Sequence, residues 1–204
     1  MDDLVLLILC SPSGAGKTTL TRHLLDNLRD FTFSVSHTTR KPRAGEVDGR
    51  EYHFVDRVRF QELIACGEFA EWAEVHGNLY GTSVREIERA RVEGMRGIVF
   101  DVDYQGARQI KAKLREAIGV FVLPPSMDEL RRRLEGRGTE DESTIQRRFQ
   151  KAWIEIEHYG FFDFLVVNDD LVRAQAAVLG IALAERHRRW RLAPAAEALL
   201  KSGR

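Results

Sequence analysis

The sequence has little cysteine, no net charge and no long hydrophobic run. Cys10 and Cys66 are the only cysteines in 204 residues, which is too few for a disulfide framework and fits a reducing compartment. The 31 basic side chains are matched by 31 acidic ones. That balance excludes the overall basic footprint of a general nucleic-acid binder. The apolar stretch near the start, Leu4 to Cys10, is far shorter than the ~20 residues of a membrane helix. It follows two aspartates, where a signal peptide carries basic residues, so the expectation is a cytoplasmic protein with no membrane partner. Six histidines occur, but none at metal-binding spacing. Internal repeats and low-complexity tracts are also lacking. What is present is 44% hydrophobic and 30% charged residues, the composition of a globular chain long enough for one sizeable core.

The hydrophobic pattern alternates between two periods. Leu4–Cys10 is continuously apolar, as in a strand buried on both faces. A glycine-rich turn follows, and then a helix from about Lys17 to Leu28 with Leu20, Leu24, Leu25 and Leu28 on one side. "FTFSVS" reads as a strand, Arg59–Cys66 as a helix and "EFAEWAEV" as extended. Ser83–Glu93 reads as a helix in which Ser83 caps and Glu86 lies three residues on. "GIVFDV" and "IGVFVL" are strands around a helix from Tyr104 to Leu114. Met127–Leu134 opens another helix, and "GRGTEDES" breaks it. Ile145, Phe149, Trp153 and Ile156 mark the apolar stripe of the next. "FDFLVVN" is a last strand and Leu171 to about Arg189 a last helix. Such alternation implies a mostly parallel sheet covered by helices on both faces. The basic, then Ala- and Leu-rich tail "RHRRWRLAPAAEALLKSGR" is expected to be solvated and partly frayed.

"SPSGAGKTT", Ser11 to Thr19, joins the first strand to the first helix. Gly16, Lys17 and Thr18 match the end of a P-loop, although Ser11 stands where its first glycine should be. Backbone N–H groups between Ser13 and Thr18 must converge on phosphate oxygens, which demands unusual dihedrals at Gly14 and Gly16. The helix N-terminus favours the anion. Lys17 is placed to reach the β- and γ-phosphates, and the Thr18 hydroxyl to ligate Mg²⁺. Asp101 ends an apolar strand in a carboxylate. The pattern supports two readings equally: a Walker-B-type acid near Mg²⁺, or a cap for the next helix.

The stretch "TTRKPRAGEVDGREYHF" crowds cations between a proline and two glycines. Pro42 and Gly45 stiffen and turn it, so that Arg40 and Arg43 can face one anion. Thr38-Thr39-Arg40, Arg43, Glu46, Gly49, Tyr52 and Phe54, together with "PSGAGKT", "GNLYGTS", "DVDYQGA" and "LEGRGTEDE" before "QRRF", closely resemble the signature blocks of guanylate kinases, in the same order. The resemblance covers about Leu4 to Arg186. It implies an α/β fold with a P-loop NTPase-type parallel sheet, an inserted monophosphate-binding lobe and a mobile lid. In residues, that is core at 1–32, 84–125 and 151–186, GMP-binding lobe at 33–83, lid at 126–150 and a basic tail at 187–204.

The resemblance also implies roles. Ser11, Pro12, Ser13, Gly14, Ala15, Gly16, Lys17 and Thr18 would hold the ATP phosphates, and Asn168 would lie near the adenine. Arg40, Arg43, Tyr52 and Tyr80 would hold the GMP phosphate, with Glu46 orienting the arginines. Glu71 and Asp103 would read the two donors on the guanine edge, with Ser36 and Thr82 near its O6. Arg137 and Arg148 would join Lys17 over the transferred group, and Thr18 and Asp101 would serve Mg²⁺. The implied reaction is ATP and GMP (or dGMP) giving ADP and GDP. Two other readings stand beside it. An inactive guanylate-kinase-like interaction module should lose P-loop residues, which are intact here. A sugar-phosphate kinase should lack Glu71 and the full Arg40, Arg43 and Tyr52 set. Oligomeric state is left open.

Overall fold

The computed structural model describes residues 4–75, 77–136 and 141–202. Its centre is a five-stranded parallel sheet in the order β2-β7-β1-β8-β9. These strands are β1 (Val5–Cys10), β2 (Phe31–Phe33), β7 (Gly97–Asp101), β8 (Ile118–Leu123) and β9 (Phe164–Val167). Every residue of β1 is buried, because the strand has neighbours on both edges and helices on both faces. Side chains alternate across a strand. Val5, Leu7 and Leu9 therefore enter one core with α1 (Lys17–Asn27) and α7 (Leu171–Arg186). Leu4, Leu6 and Ile8 enter the opposite core with α3 (Arg85–Val92) and α4 (Tyr104–Lys113). The expected two-faced α/β sheet is present.

A second sheet, ordered β4-β3-β6-β5, joins β3 (His37–Thr38), β4 (His53–Phe54), β5 (Phe69–Val75) and β6 (Asn78–Ser83). It covers a small apolar cluster of Phe60, Leu63, Phe69 and Leu79, the first two supplied by α2 (Arg57–Ala65). A fourth cluster, Leu130, Leu134, Ile145 and Ala152, zips α5 (Met127–Glu135) to α6 (Glu142–Glu157).

Several expectations are corrected. "FTFSVS" is not one strand. Pairing stops after Phe33, and the Val35 N–H donates to the Glu86 carboxylate at 2.9 Å, which turns the chain from one sheet to the other. Glu86 therefore closes no capping box with Ser83; the Ser83 hydroxyl accepts from Arg85 N at 3.1 Å. Trp153 is 53% exposed, and the buried face of α6 runs through Ile145, Ala152 and Glu155. Among the described residues the tail is helical: it forms α8 (Arg189–Ser202). Arg191 anchors it by donating to the Leu4 carbonyl at 2.9 Å, with its guanidinium 4.1 Å from the Trp190 ring centroid.

Gly97 opens β7 where that strand pairs with Phe31 of β2. A methyl group there would lie 2.2 Å from the Phe31 ring, and the ring is itself buried. Overpacking of this kind costs about 1–3 kcal/mol. Gly97→Ala should lower the unfolding free energy by that much, read as a lower urea midpoint at unchanged slope; an unchanged midpoint would mean that the ring moves aside without cost.

Candidate active site

Two cavities open beside the carboxyl end of the parallel sheet. The first, about 290 Å³, is lined by the turn from Ser11 to Thr19, with Asp103 and Glu155 across from it. Gly14 and Gly16 take φ of 92° and 100°, the left-handed values that such a turn requires and that side chains resist. Ser11, at the first-glycine position, is buried at the entry of the turn, and its hydroxyl donates to the Pro12 carbonyl at 3.0 Å. Helix α1 follows Gly16 with no side chain capping it, so its leading N–H groups face the cavity as an anion site.

Lys17 is held ready. Its ammonium donates to Asp101 at 2.6 Å and to the Val102 carbonyl at 3.1 Å. Burial works against the charged form, but the charge and hydrogen bond of Asp101, with the fields of Cys10 and Asp103, together outweigh it and leave the Lys17 pKa above its ordinary value. Asp101 thus pairs with Lys17, and Asp103 is the helix cap: its carboxylate accepts from Gln105 N and Gly106 N, both at 3.0 Å. Beneath the loop, Asn168 is buried and its amide donates to the Ala15 carbonyl at 2.8 Å. A methyl group on Gly16 would lie 2.4 Å from that amide. Asn168 therefore meets the loop's backbone, a bracing contact that the sequence did not signal.

The second cavity, about 410 Å³, shares Thr18 and Asp103 with the first. Ser36, Tyr52, Glu71, Tyr80 and Asp101 also line it, with Phe33, Ala73 and Val75 as apolar walls. Glu71 is 5% exposed. The Thr82 hydroxyl donates to it at 2.7 Å and lies 3.2 Å from the Ser36 hydroxyl. Gly106 permits this burial, because a methyl group there would lie 2.9 Å from a Glu71 oxygen. Burial raises the Glu71 pKa, the Thr82 hydroxyl pulls it back and the charge of Asp103 raises it further, leaving it at about 7.

Not every expected residue lines this cavity. Arg40 sits behind the wall, its guanidinium 5.4 Å from the Tyr52 ring centroid and bonded to Glu46 at 2.8 Å. Glu46 also accepts from the Arg43 N–H at 2.7 Å, which fits its expected orienting role. The Arg43 side chain is exposed. Arg148 reaches the phosphate turn, donating to the Ser13 hydroxyl at 2.6 Å. Arg137 lies outside the described residues. Sequence reasoning missed Lys151, which lines the second cavity, and Glu155, which accepts from Ser13 N at 3.3 Å. A carboxylate in the helical pattern of α6 reads by default as solvent-facing.

Comparison with known proteins shows the family. The family model for guanylate kinase matches residues 4–182. A guanylate kinase of Nitratidesulfovibrio vulgaris is 55% identical over 170 residues, 83% of this chain and 82% of that protein. One of Geobacter metallireducens is 46% identical over 188 residues, 92% of each. The crystal structure of guanylate kinase from Anaplasma phagocytophilum superposes with a TM-score of 0.74 at 35% identity, covering 92% of this chain and 89% of that one.

The Glu71 environment has a stability signature. Its folded pKa is raised, so the folded state holds that proton more tightly than the unfolded chain does. The ionised carboxylate therefore costs stability above about pH 7, on the order of 3 kcal/mol at most, and the cost fades as pH falls toward the unfolded value. Glu71→Gln should be more stable than the parent at pH 8 and should converge with it near pH 5, as read by urea unfolding. A difference independent of pH would contradict this environment.

Proposed function

The chain belongs to the guanylate kinase family, and from that premise we propose how its residues serve an ATP:GMP phosphotransferase. The enzyme transfers a phosphoryl group from ATP to GMP, giving ADP and GDP. The observation that carries the assignment of residues is the shared wall: a P-loop cavity and a base-reading cavity meet at Thr18 and Asp103. The first takes the ATP triphosphate and the second takes GMP. We assign residues 33–83 to the GMP lobe, 126–150 to the lid and the parallel sheet with its helices to the core.

Glu71 and Asp103 accept from the guanine N1–H and exocyclic amine. Adenine presents an acceptor at N1, which would leave a buried carboxylate facing a lone pair, so it is rejected. Ser36 and Thr82 stand near O6. Tyr52 and Tyr80 offer hydroxyls to the GMP phosphate, and Arg40 and Arg43, positioned by Glu46, add charge as the loop closes over it. The contacts assigned here go to the base and the phosphate and none to the ribose 2′-hydroxyl, so the proposal includes dGMP as a substrate.

On the donor side, the P-loop N–H groups cradle the phosphates. Lys17 exchanges Asp101 and the Val102 carbonyl for phosphate oxygens, and Arg148 stands at Ser13 beside the transferred group with Arg137 assigned to the same task. Thr18 and Asp101, both on the lining of the second cavity, fit a Mg²⁺ that keeps most of its waters and takes one or two protein ligands. Bound there, it supplies charge neutralisation at the phosphate oxygens. The acceptor oxygen is already anionic and needs no general base, so catalysis is alignment plus charge stabilisation. A cytoplasmic setting suits these substrates, and among the described residues no helix is long and apolar enough to cross a membrane.

A coupled assay with ATP and each nucleoside monophosphate in turn tests the reading. GMP should be turned over ~10⁴-fold more efficiently than AMP; comparable rates with AMP would overturn it. Lys17→Ala should cut turnover ~10²-fold or more while calorimetry finds GMP affinity unchanged, and the reverse pattern would place Lys17 in the wrong cavity.

A further inference from the structure

The GMP cavity has an unbalanced lining. Four carboxylates border it, Glu51, Glu71, Asp101 and Asp103, and among the described residues Lys151 is the one cationic side chain on its wall. Each carboxylate is already committed. Asp101 holds Lys17 at 2.6 Å, and Glu51 holds Arg50 and the Val47 N–H, both at 2.7 Å. Glu71 holds Thr82, and Asp103 caps α4. A phosphate dianion entering this cavity meets acids on most sides. The two arginines expected to hold it stand off the lining, one bonded to Glu46 and one exposed.

Lys151 is held more loosely than Lys17 or Arg40, whose carboxylates lie at 2.6 and 2.8 Å. Its partner is Glu155, one turn along α6, at 3.5 Å. That is long beside the ~2.8 Å of a committed charged hydrogen bond. The Lys151 side chain is 44% exposed while the Glu155 side chain is 7% exposed. Glu155 faces two ways: one oxygen points to Lys151, and the other accepts from the Ser13 N–H of the phosphate turn. Glu155 therefore lines the first cavity and reaches a residue of the second, taking a P-loop amide with one oxygen and restraining Lys151 with the other.

We propose that Lys151 is a further binding residue for the acceptor, a cation that α6 delivers to the GMP phosphate and that Glu155 keeps in place until the nucleotides arrive. The inference rests on the assignment of the second cavity to GMP. The exchange follows from charge. Triphosphate oxygens compete with Glu155 for the Ser13 amide and repel its carboxylate, which loosens its hold on Lys151. The acceptor phosphate, a dianion against the single charge of a carboxylate, is then the stronger partner for the cation on that cavity's wall. A lysine suits this task because its compact charge rides on a flexible four-carbon stem and can follow a phosphate, where an arginine fork demands one geometry.

Calorimetry on the full chain tests this, with GMP and guanosine as paired probes in the presence of a β,γ-methylene analogue of ATP. Lys151→Met removes the charge at similar length, and Lys151→Arg restores it. The proposal expects Lys151→Met to weaken GMP ~10-fold or more, the loss of one charged contact. Guanosine, which lacks the phosphate, should stay within ~2-fold, and Lys151→Arg should recover most of the GMP affinity. GMP binding by Lys151→Met at the parental affinity would overturn the proposal, and so would an equal loss for guanosine. A parent protein that binds neither probe would instead sink the GMP assignment of the cavity, and this inference with it.

Discussion

The pair between Lys17 and Asp101 is the contact on which the site depends. It joins the first residue of α1 to the last residue of β7, 84 positions later in the chain. The sheet makes it possible: β1 and β7 run parallel with Leu9 opposite Asp101, so the turn after one strand and the acid at the end of the other emerge at the same edge. Ligands gather at the carboxyl ends of such strands because that edge collects loops and helix N-termini. Around the pair, the glycine turn fixes the N–H groups, Asn168 braces the turn from below and Asp103 caps the neighbouring helix. Each device fixes a polar group before any nucleotide arrives, and such preorganisation is the larger part of electrostatic catalysis.

A neutral chain that binds two anions must hold its cations in reserve. The site does so by pairing them internally: Lys17 with Asp101, Arg40 with Glu46 and Lys151 with Glu155. The acids prevent a cluster of bare positive charge, and they are easily outbid by phosphate, which carries more charge and more acceptor atoms than a carboxylate. Glu71 is the exception. It is buried and bonded to a hydroxyl, with its pKa raised chiefly by burial, an environment that fits the base-reading role proposed for it.

Much of this was legible in the sequence where the determinants are local. The P-loop needs consecutive residues, so "PSGAGKT" displayed it, and the apolar runs marked the core strands because both of their faces are buried. The second sheet was not legible in the same way. His37–Thr38 and His53–Phe54 are two residues each, too short for any period to register, and "NLYGTS" carries a glycine that reads as a turn. The burial of Glu71 depends on Gly106 of another element, and no pattern within "AEWAEV" encodes that. The tail looked frayed because its basic residues suggest solvent, whereas Arg191 finds its partner at Leu4, at the far end of the chain. Lys151 and Glu155 were invisible for the related reason that their meaning lies in what α6 faces.

The central claim is that the two cavities are halves of one anion-binding site meeting at Thr18 and Asp103. A single molecule joining adenosine to guanosine through a chain of phosphates tests it most directly, by titration calorimetry against ATP and GMP measured separately. The account predicts one molecule bound per chain, more tightly than either nucleotide alone, because the linked ligand fills both halves at once. Affinity no better than that of ATP, with GMP still able to bind alongside, would show that the cavities are separate and would contradict it.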